Sequence, residues 1–370
     1  MGRTLQELGA RYLAVSSLDE AMELRENGIT MPILILGHTP RDQVKTLIDY
    51  DITQAVSCRA KAVNYSNEAR TYDRPLRIHI KVDTGMSRLG FLCAGKHFND
   101  GVFGISQACD LPGLEAEGIF THFAVSDEAD DWCHDYTLEQ FALFERVVQA
   151  VEDMRGQKFA LRHCANSGAV ADYPQTYMDM VRPGILLYGI GDIAERLGLR
   201  PVMTVKSAVQ TIKHYSAGTR VSYGGTFTTV GKTRLGVLPY GYADGFPRAL
   251  SNRCNVIALP KTLECTDGTT GGEKPASANY PVGVEKPAGG LAPVRGKICM
   301  DMCMIDLSDL PEVNVGDEVE IFGEHNSVNE LAKIAGTIPY ELVCNVSKRV
   351  PRYYYRAGKL IDKELLLRFE

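Results

Sequence analysis

The chain's most promising chemistry lies in residues 239–252, PYGYADGFPRALSN. An apolar run, LGVLP, leads straight into a turn rich in Gly, Asp and Pro. Tyr242 sits at the mouth of that turn, between Gly241 and Ala243. A phenol delivered on a tight turn can act as acid or base when its surroundings stabilise the phenolate. It can equally pack its ring beneath a loop.

Four further segments carry reactive or charged groups at the ends of apolar runs. KVDTGMSRLGF, residues 81–91, begins with Lys81 and enters a Gly-rich turn holding Arg88, which read alone is a solvated arginine. THFA, residues 121–124, ends another apolar run with His122, a group that can also be a satisfied core histidine. RHCANSG, residues 162–168, gathers His163, Asn166 and Ser167. Ser167 suits a phosphate held by a hydroxyl and backbone N–H groups, and it suits a helix N-cap; the two roles are compatible. MVRPGILLYG, residues 180–189, places Arg182 before Pro-Gly in what reads as an apolar strand. A charge in such a run is costly unless paired, which makes Arg182 the residue least easily explained by packing alone.

These groups need a scaffold, and the rest of the chain supplies one. At 370 residues it is long for one domain and comfortable for two. A hydrophobic share of 45% and a charged share of 23% are those of an ordinary soluble globular protein. A net charge of −6 gives no nucleic-acid footprint. The ten cysteines include no C-x-x-C pair, the closest being Cys299 and Cys303, so reduced thiols of a cytoplasmic protein are expected and a metal site is not. There is no signal-peptide pattern, and no apolar run approaches the ~20 residues of a membrane span.

In the first half, strand patterns at 12–15, 33–36, 53–57, 77–83, 115–123, 160–166 and 181–189 alternate with helical ones. The helical stretches include 19–25, behind a Ser17 cap, and 138–154. Strands alternating with helices predict a parallel sheet, open or closed into a barrel. The seven strands are one short of an eight-stranded barrel. Near Leu199 the pattern changes to strands at 202–215, 234–238, 254–259, 304–307 and 318–322, with little helix. The reading is an α/β barrel domain over 1–195 and a β-domain over 196–370. Residues 261–293, rich in Gly, Pro, Thr and Lys and without periodicity, read as a long surface loop. A late helix at 327–335 opens with Ser327 and Glu330 in capping-box spacing.

In this order, on a barrel followed by a β-domain, the segments are specific. The chain resembles alanine racemase, a fold-type III family that uses pyridoxal 5′-phosphate (PLP). The resemblance runs from about Leu8 to Arg356 apart from 261–293. It is carried by KVDTGMSRLGF, THFAVSDE, RHCANSGA, RPGILLYG, PYGYADGFPRALSN, GKICMDM and CNVSKRVPR. It implies a (β/α)8-type PLP-binding barrel, a C-terminal β-domain, and a cytoplasmic homodimer with active sites shared between subunits. It implies interconversion of L- and D-alanine by a two-base proton transfer on a PLP imine, supplying D-alanine for peptidoglycan. Serine is the alternative substrate, and a homologue without activity is the alternative to an enzyme.

Residue by residue, the resemblance makes Tyr242 a catalytic acid/base reaching the partner's cofactor. His122 lies near the pyridine ring, in a hydrogen-bond chain between Tyr242 and Arg182. Arg182 donates to the pyridine nitrogen and His163 orients it. Ser167, Gly184 and Ile185 hold the phosphate. Arg88 lies near the cofactor's phenolic oxygen and the substrate carboxylate. Lys81 matches a lysine often carbamylated in the family, and Met300 a residue whose backbone N–H contacts substrate carboxylate from the other subunit. An arginine at the pyridine nitrogen keeps its own proton, so the electron sink is weaker than with a carboxylate partner, which favours simple proton return over transamination.

Two family features are not met. The second base, the lysine that also binds PLP in a motif like VKANAYGHG, has no counterpart: the first lysine here is Lys45, in a helical stretch. The missing strand and the missing lysine are one observation, and racemisation by the chain as given is expected to be absent or very weak. In CNVSKRVPR, Lys348 stands where several members carry a tyrosine.

Overall fold

Parallel strands covered on both faces must be apolar nearly throughout, and the first half of the chain supplies such runs. The computed structural model describes residues 1–260 and 289–366. Six strands pair in parallel and in chain order: β1 (Leu13–Val15), β2 (Ile33–Ile35), β3 (Ile52–Val56), β4 (Leu76–Asp83), β6 (Leu114–Phe120) and β7 (Leu161–His163). A short strand, β5 (Phe91–Leu92), adds beside the end of β4. The result is a half-barrel wall with β1 and β7 at its edges. The helices of this unit are α1 (Gly2–Glu7), α2 (Leu18–Glu26), α3 (Val44–Asp49), α4 (Arg59–Ala69), α5 (Phe98–Cys109), α6 (Asp131–Arg155) and α7 (Ser167–Asp172).

Alternate residues of a strand face opposite sides of its sheet. Ile33, Ile35, Ile52, Ile78, Ile80 and Val82 join Val102, Phe144 and Val147 of the helices in the main core. The other face carries a smaller cluster of Leu34, Ala55 and Phe120, with Tyr12 and Leu36 against it. In β4 the alternate positions are Arg77, His79, Lys81 and Asp83, so the half-barrel has one apolar face and one that is partly polar.

Contact density divides the chain into Met1–Gly184 and Ile185–Glu370. The second unit starts with α8 (Asp192–Arg196) and then turns to antiparallel strands. One sheet has the order β15 (Cys303–Asp306), β12 (Thr233–Leu238), β9 (Thr211–Tyr215). Another has the order β14 (Gly290–Pro293), β13 (Asn255–Leu259), β16 (Glu318–Phe322), β8 (Val205–Ala208). Between β9 and β12 lies a two-stranded pair, β10 (Arg220–Val221) and β11 (Phe227–Thr228). Helices α9 (Val328–Ala335) and α10 (Pro339–Cys344) and the hairpin β17 (Arg352–Arg356) with β18 (Lys359–Glu364) complete it. Among the described residues, no helix is long and apolar enough to cross a membrane.

The structure departs from the sequence expectation in several places. Residues 181–189 form no strand: 181–183 are irregular and Gly184–Tyr188 is a 3-10 turn. Pro183 lacks the N–H a ladder needs, and Gly184 takes a left-handed φ of 49°. The cap of α7 is Asn166, whose side chain accepts from Ala169 N at 3.2 Å, so Ser167 is the first helical residue and not the cap. The Ser17 cap is present, with Glu20 N donating to Ser17 Oγ at 3.3 Å. Ser327 caps α9 through Asn329 N at 3.2 Å, but Glu330 pairs with Lys333 instead of closing a box. Of the stretch read as a loop, 261–288 lie outside the described residues, while 290–293 pair with β13 and are strand.

The first unit should owe much of its stability to α6. Phe144 is fully buried in the core, whereas Phe103 on α5 is 56% exposed. Phe144→Ala is expected to destabilise the protein by about 3–5 kcal/mol and Phe103→Ala by under about 0.5 kcal/mol, read from urea denaturation followed by circular dichroism.

Candidate active site

The C-terminal ends of β4, β6 and β7 bring Lys81, Phe120, Thr121, His122 and His163 together, and the irregular segment after α7 lays Arg182 across them. Arg182 N bonds Ala165 O at 2.9 Å, which fixes the backbone. Its Nη1 donates to His163 Nδ1 at 2.6 Å. Its Nη2 donates to Thr121 O at 2.9 Å and Cys164 O at 3.0 Å and approaches His122 Nδ1 at 3.4 Å. The guanidinium carbon also lies 5.5 Å from the Phe120 ring centroid. Burial lowers the Arg182 pKa to about 10. That is still about three units above neutral pH, so the group keeps its charge.

His163 and Phe120 stack face to face at 4.8 Å and 3°. Beyond His163 the polar contacts continue. His163 Nε2 meets His79 Nδ1 at 2.9 Å, and both rings are fully buried. His79 Nε2 meets Glu117 Oε2 at 3.4 Å. Tyr12 donates to the same oxygen at 3.0 Å and lies 2.7 Å from Thr53 Oγ1. The end groups fix every tautomer between them. Arg182 can only donate, so His163 Nδ1 accepts and a neutral His163 carries its proton on Nε2. His79 Nδ1 then accepts, and its Nε2–H donates to the carboxylate. His163 is held well below 6.5 by burial and then by the Arg182 charge. Glu117 is held below the usual carboxylate range, first by the His79 hydrogen bond. A cation and an anion are thus joined through two neutral imidazoles. Gly118 leaves room for this, since a Cβ there would meet the His79 ring at 2.7 Å.

Lys81 shows why an arginine occupies the charged position. Its Nζ lies 4.8 Å from the Phe120 centroid, and burial, then Arg182 and Arg88, lower its pKa to about 6. A buried lysine here is mostly neutral at pH 7, while the guanidinium starts higher and survives desolvation. His122 is lowered to about 3 by burial and then by Arg182, Lys81 and Arg88, so it is a neutral imidazole. Arg88 is exposed on a turn shaped by Asp83, whose Oδ1 accepts from Gly85 N and Ser87 N, each at 3.0 Å.

Ser167 and Gly184 meet at one corner of the same unit. The Ser167 hydroxyl donates to Pro183 O, and a Cβ on Gly184 would lie 3.1 Å from Ser167 Oγ. Asn166 Oδ1, besides capping α7, accepts from Ser126 Oγ at 2.6 Å. Ile185 follows in the 3-10 turn. The donor set of this unit suits a planar ring with a nitrogen acceptor and a phosphate. A guanidinium has five N–H groups, more than the four contacts above employ, and Gly184 keeps the space beside Ser167 Oγ clear of a side chain.

In the second unit, β12 and β15 pair antiparallel with Leu238 opposite Cys303, so the segments beyond them also run side by side. Tyr242 N bonds Cys299 O at 3.0 Å and Ala243 N bonds Met300 O at 2.9 Å. Gly241 must be glycine, because a Cβ would lie 2.3 Å from Met300 O. Tyr242 and Met300 therefore project from one end of one sheet, 44% and 54% exposed.

Sequence reasoning missed His79, Glu117 and Tyr12. The signal for His79 was present: R-I-H-I-K-V-D at 77–83 alternates charged or imidazole groups with aliphatic ones. Such alternation in a strand that must be buried on both faces announces a paired polar interior. Glu117 and Tyr12 carry no comparable mark. Among the described residues, no group of three or more His, Cys, Asp or Glu could hold a metal ion.

Comparison with known proteins agrees with this geometry. A family model described as alanine racemase, N-terminal domain, matches residues 1–192, and one described as alanine racemase, C-terminal domain, matches 202–267 and 271–354. The chain is 40% identical over 359 residues to the alanine racemase of Desulforamulus reducens, covering 96% of this chain and 87% of that protein. It is 39% identical over 366 residues to the alanine racemase of Clostridium perfringens, covering 97% and 85%. Among solved structures, alanine racemase of Clostridium difficile 630 superposes with a TM-score of 0.83 at 34% identity, covering 99% of this chain and 87% of that one. Alanine racemase from Bacillus anthracis with bound L-Ala-P gives 0.76 at 30% identity, covering 98% and 85%.

The desolvated histidines should make the first unit acid-sensitive. His122 at about 3 and His163 well below 6.5 stay neutral in the fold but take up protons in the unfolded chain. The unfolded state then binds more protons as pH falls past about 6.5, and stability falls with it. Urea denaturation at pH 7 and pH 5 is expected to show a loss on the order of 1–2 kcal/mol per histidine, and His122→Gln should flatten the dependence.

Proposed function

The chain belongs to the alanine racemase family, and from that premise we propose that it interconverts L- and D-alanine with PLP as cofactor. The observation that carries the proposal is the half-buried Arg182, which keeps its charge and is held from behind by His163, Thr121 and Cys164. The matched relatives are named for alanine, and no observation favours serine. Free thiols at every described cysteine support a reducing, cytoplasmic setting.

PLP, when bound, takes up the electron pair left by the α-hydrogen of an amino acid. Arg182 would face its ring nitrogen. With a pKa of about 10, Arg182 gives a hydrogen bond there and not a proton. His163 orients the guanidinium through Nδ1. Ser167, Gly184 and Ile185 would hold the phosphate. His122, neutral beside Arg182 Nη2, leaves the ring site without a second cation. Arg88 supplies a positive charge on an exposed turn, suited to a substrate carboxylate. Lys81 presents a neutral amine, the form that takes up carbon dioxide as a carbamate, and a carbamate would offset the charges of Arg182 and Arg88.

Tyr242 moves the proton at the α-carbon. The residue stands 44% exposed at the end of its sheet, with the Met300 backbone beside it for a carboxylate. That exposure supports a homodimer in which each active site draws Tyr242 and Met300 from the partner. Inversion needs a carrier on each face of the α-carbon, and the second, a lysine by resemblance, is assigned to no residue of this sequence.

The test follows alanine and the protein with PLP in D2O, by proton NMR and chiral chromatography. The α-proton of alanine should exchange faster than with PLP alone, and Tyr242→Phe should slow it by about 10²–10⁴-fold. Accumulation of the opposite enantiomer reports the second carrier. Retention of the α-proton, or loss of carbon dioxide in its place, would overturn the proposal.

A further inference from the structure

The turn that carries Tyr242 and the segment that carries Met300 share a single arginine. Arg349 Nε donates to Asp244 Oδ1 at 2.7 Å, and its Nη2 donates to Asp301 Oδ1 at 2.7 Å. Asp244 lies two residues after Tyr242 and Asp301 one residue after Met300. Asp244 is 8% exposed, and its other oxygen accepts from Gly241 N at 2.8 Å, the residue before Tyr242. Its carbonyl accepts from Ser347 N at 3.0 Å. The Arg349 guanidinium is held above its ordinary range, first by Asp244 and then by Asp301.

Three segments, 240–246, 299–302 and 345–349, are thereby interlocked. Gly245, at φ 112°, passes so close to the last of them that a Cβ would lie 2.5 Å from Asn345 O. Among the described residues, the backbone bonds at Tyr242 and Ala243 otherwise join the first segment to the second at this point. Two N–H···O bonds at the end of a ladder are a weak hold on a pair that can open locally. A planar fork with a carboxylate on each of two donors adds a fixed distance across the gap.

Arg349 is 39% exposed at its side chain, and exposed ion pairs contribute little to global stability. Its effect is therefore expected in geometry more than in stability. We propose that Arg349 is a positioning residue that locks the Tyr242 phenol and the Met300 N–H into one body, fixing proton carrier against carboxylate donor. The proposal rests on the reading of Tyr242 and Met300 given above. It makes the pair Asp244 and Asp301 the two arms of the lock, with separable consequences. Loss of the Asp244 arm releases the phenol, and loss of the Asp301 arm releases the carboxylate donor.

The experiment compares wild type, Arg349→Ala, Arg349→Lys and Asp301→Asn by hydrogen exchange with mass spectrometry and by the rate of alanine α-proton exchange with PLP in D2O as a function of alanine concentration. In Arg349→Ala, amides of 241–243 should exchange at least 10-fold faster, with β9, β13 and β16 unchanged. The kcat of that exchange should fall about 10–100-fold, the scale of an ångström-sized misplacement, and its KM should rise. Arg349→Lys, able to pair with one carboxylate, should recover part of kcat. Asp301→Asn should raise KM more than it lowers kcat. Unchanged exchange at 241–243 in Arg349→Ala would overturn the proposal, as would a uniform rise across the second unit, the mark of a merely structural role. Faster exchange confined to 241–243, with no α-proton chemistry in any variant including wild type, would uphold the lock and refute the racemase reading.

Discussion

The constraint on which the site depends is a half-buried guanidinium that must stay charged with much of its water stripped away. Desolvation lowers Arg182 to about 10 and the neighbouring Lys81 to about 6. The same environment thus leaves one cation and one neutral amine at pH 7. The choice of residue type at each position follows from where each group starts on the pH scale. The backbone carbonyls of Thr121 and Cys164 and the imidazole of His163 then replace the water that the guanidinium has lost.

That replacement carries through the polar face of the half-barrel. His163 can accept from Arg182 only if it is neutral and protonated on its far nitrogen, which forces the same choice on His79. Glu117, held ionised by His79 and Tyr12, terminates the series. Each member is satisfied by the next. A buried polar network of this kind costs little when complete and much when one member is lost. In the second unit the logic differs: an exposed phenol and an exposed backbone segment are held by ladder ends, a glycine contact and an ion-pair fork, all near the surface.

Much of the scaffold was legible because its determinants are local. Ile33–Ile35 and Leu76–Asp83 are runs that only a covered parallel strand can use, and Ser17 before Leu18–Glu26 is a cap with its helix. Residues 181–189 misled because LLY looks like strand, whereas Pro183 and the left-handed Gly184 decide the backbone. Helices α4 and α5 were not foreseen, since α4 has only a weak apolar stripe and both are fixed by packing on the sheet, whereas the helical stretch around Lys45 is α3. For the site, Arg182 stood out as a charge in an apolar run, and His122, His163 and Ser167 by their place at strand ends. Glu117, Tyr12 and Arg349 were not legible. Their partners lie 38, 41 and 105 residues away in sequence, and no local pattern records such a pairing.

The most direct measurement is the tautomeric state of His79 and His163 by ¹⁵N NMR of histidine-labelled protein at pH 7. Both rings should be neutral, with the proton on Nε2 and an unprotonated Nδ1. A proton on Nδ1 of either ring, or a charged imidazolium in the pair, would contradict the claim that Arg182 is held charged by a one-way chain of donors ending at Glu117.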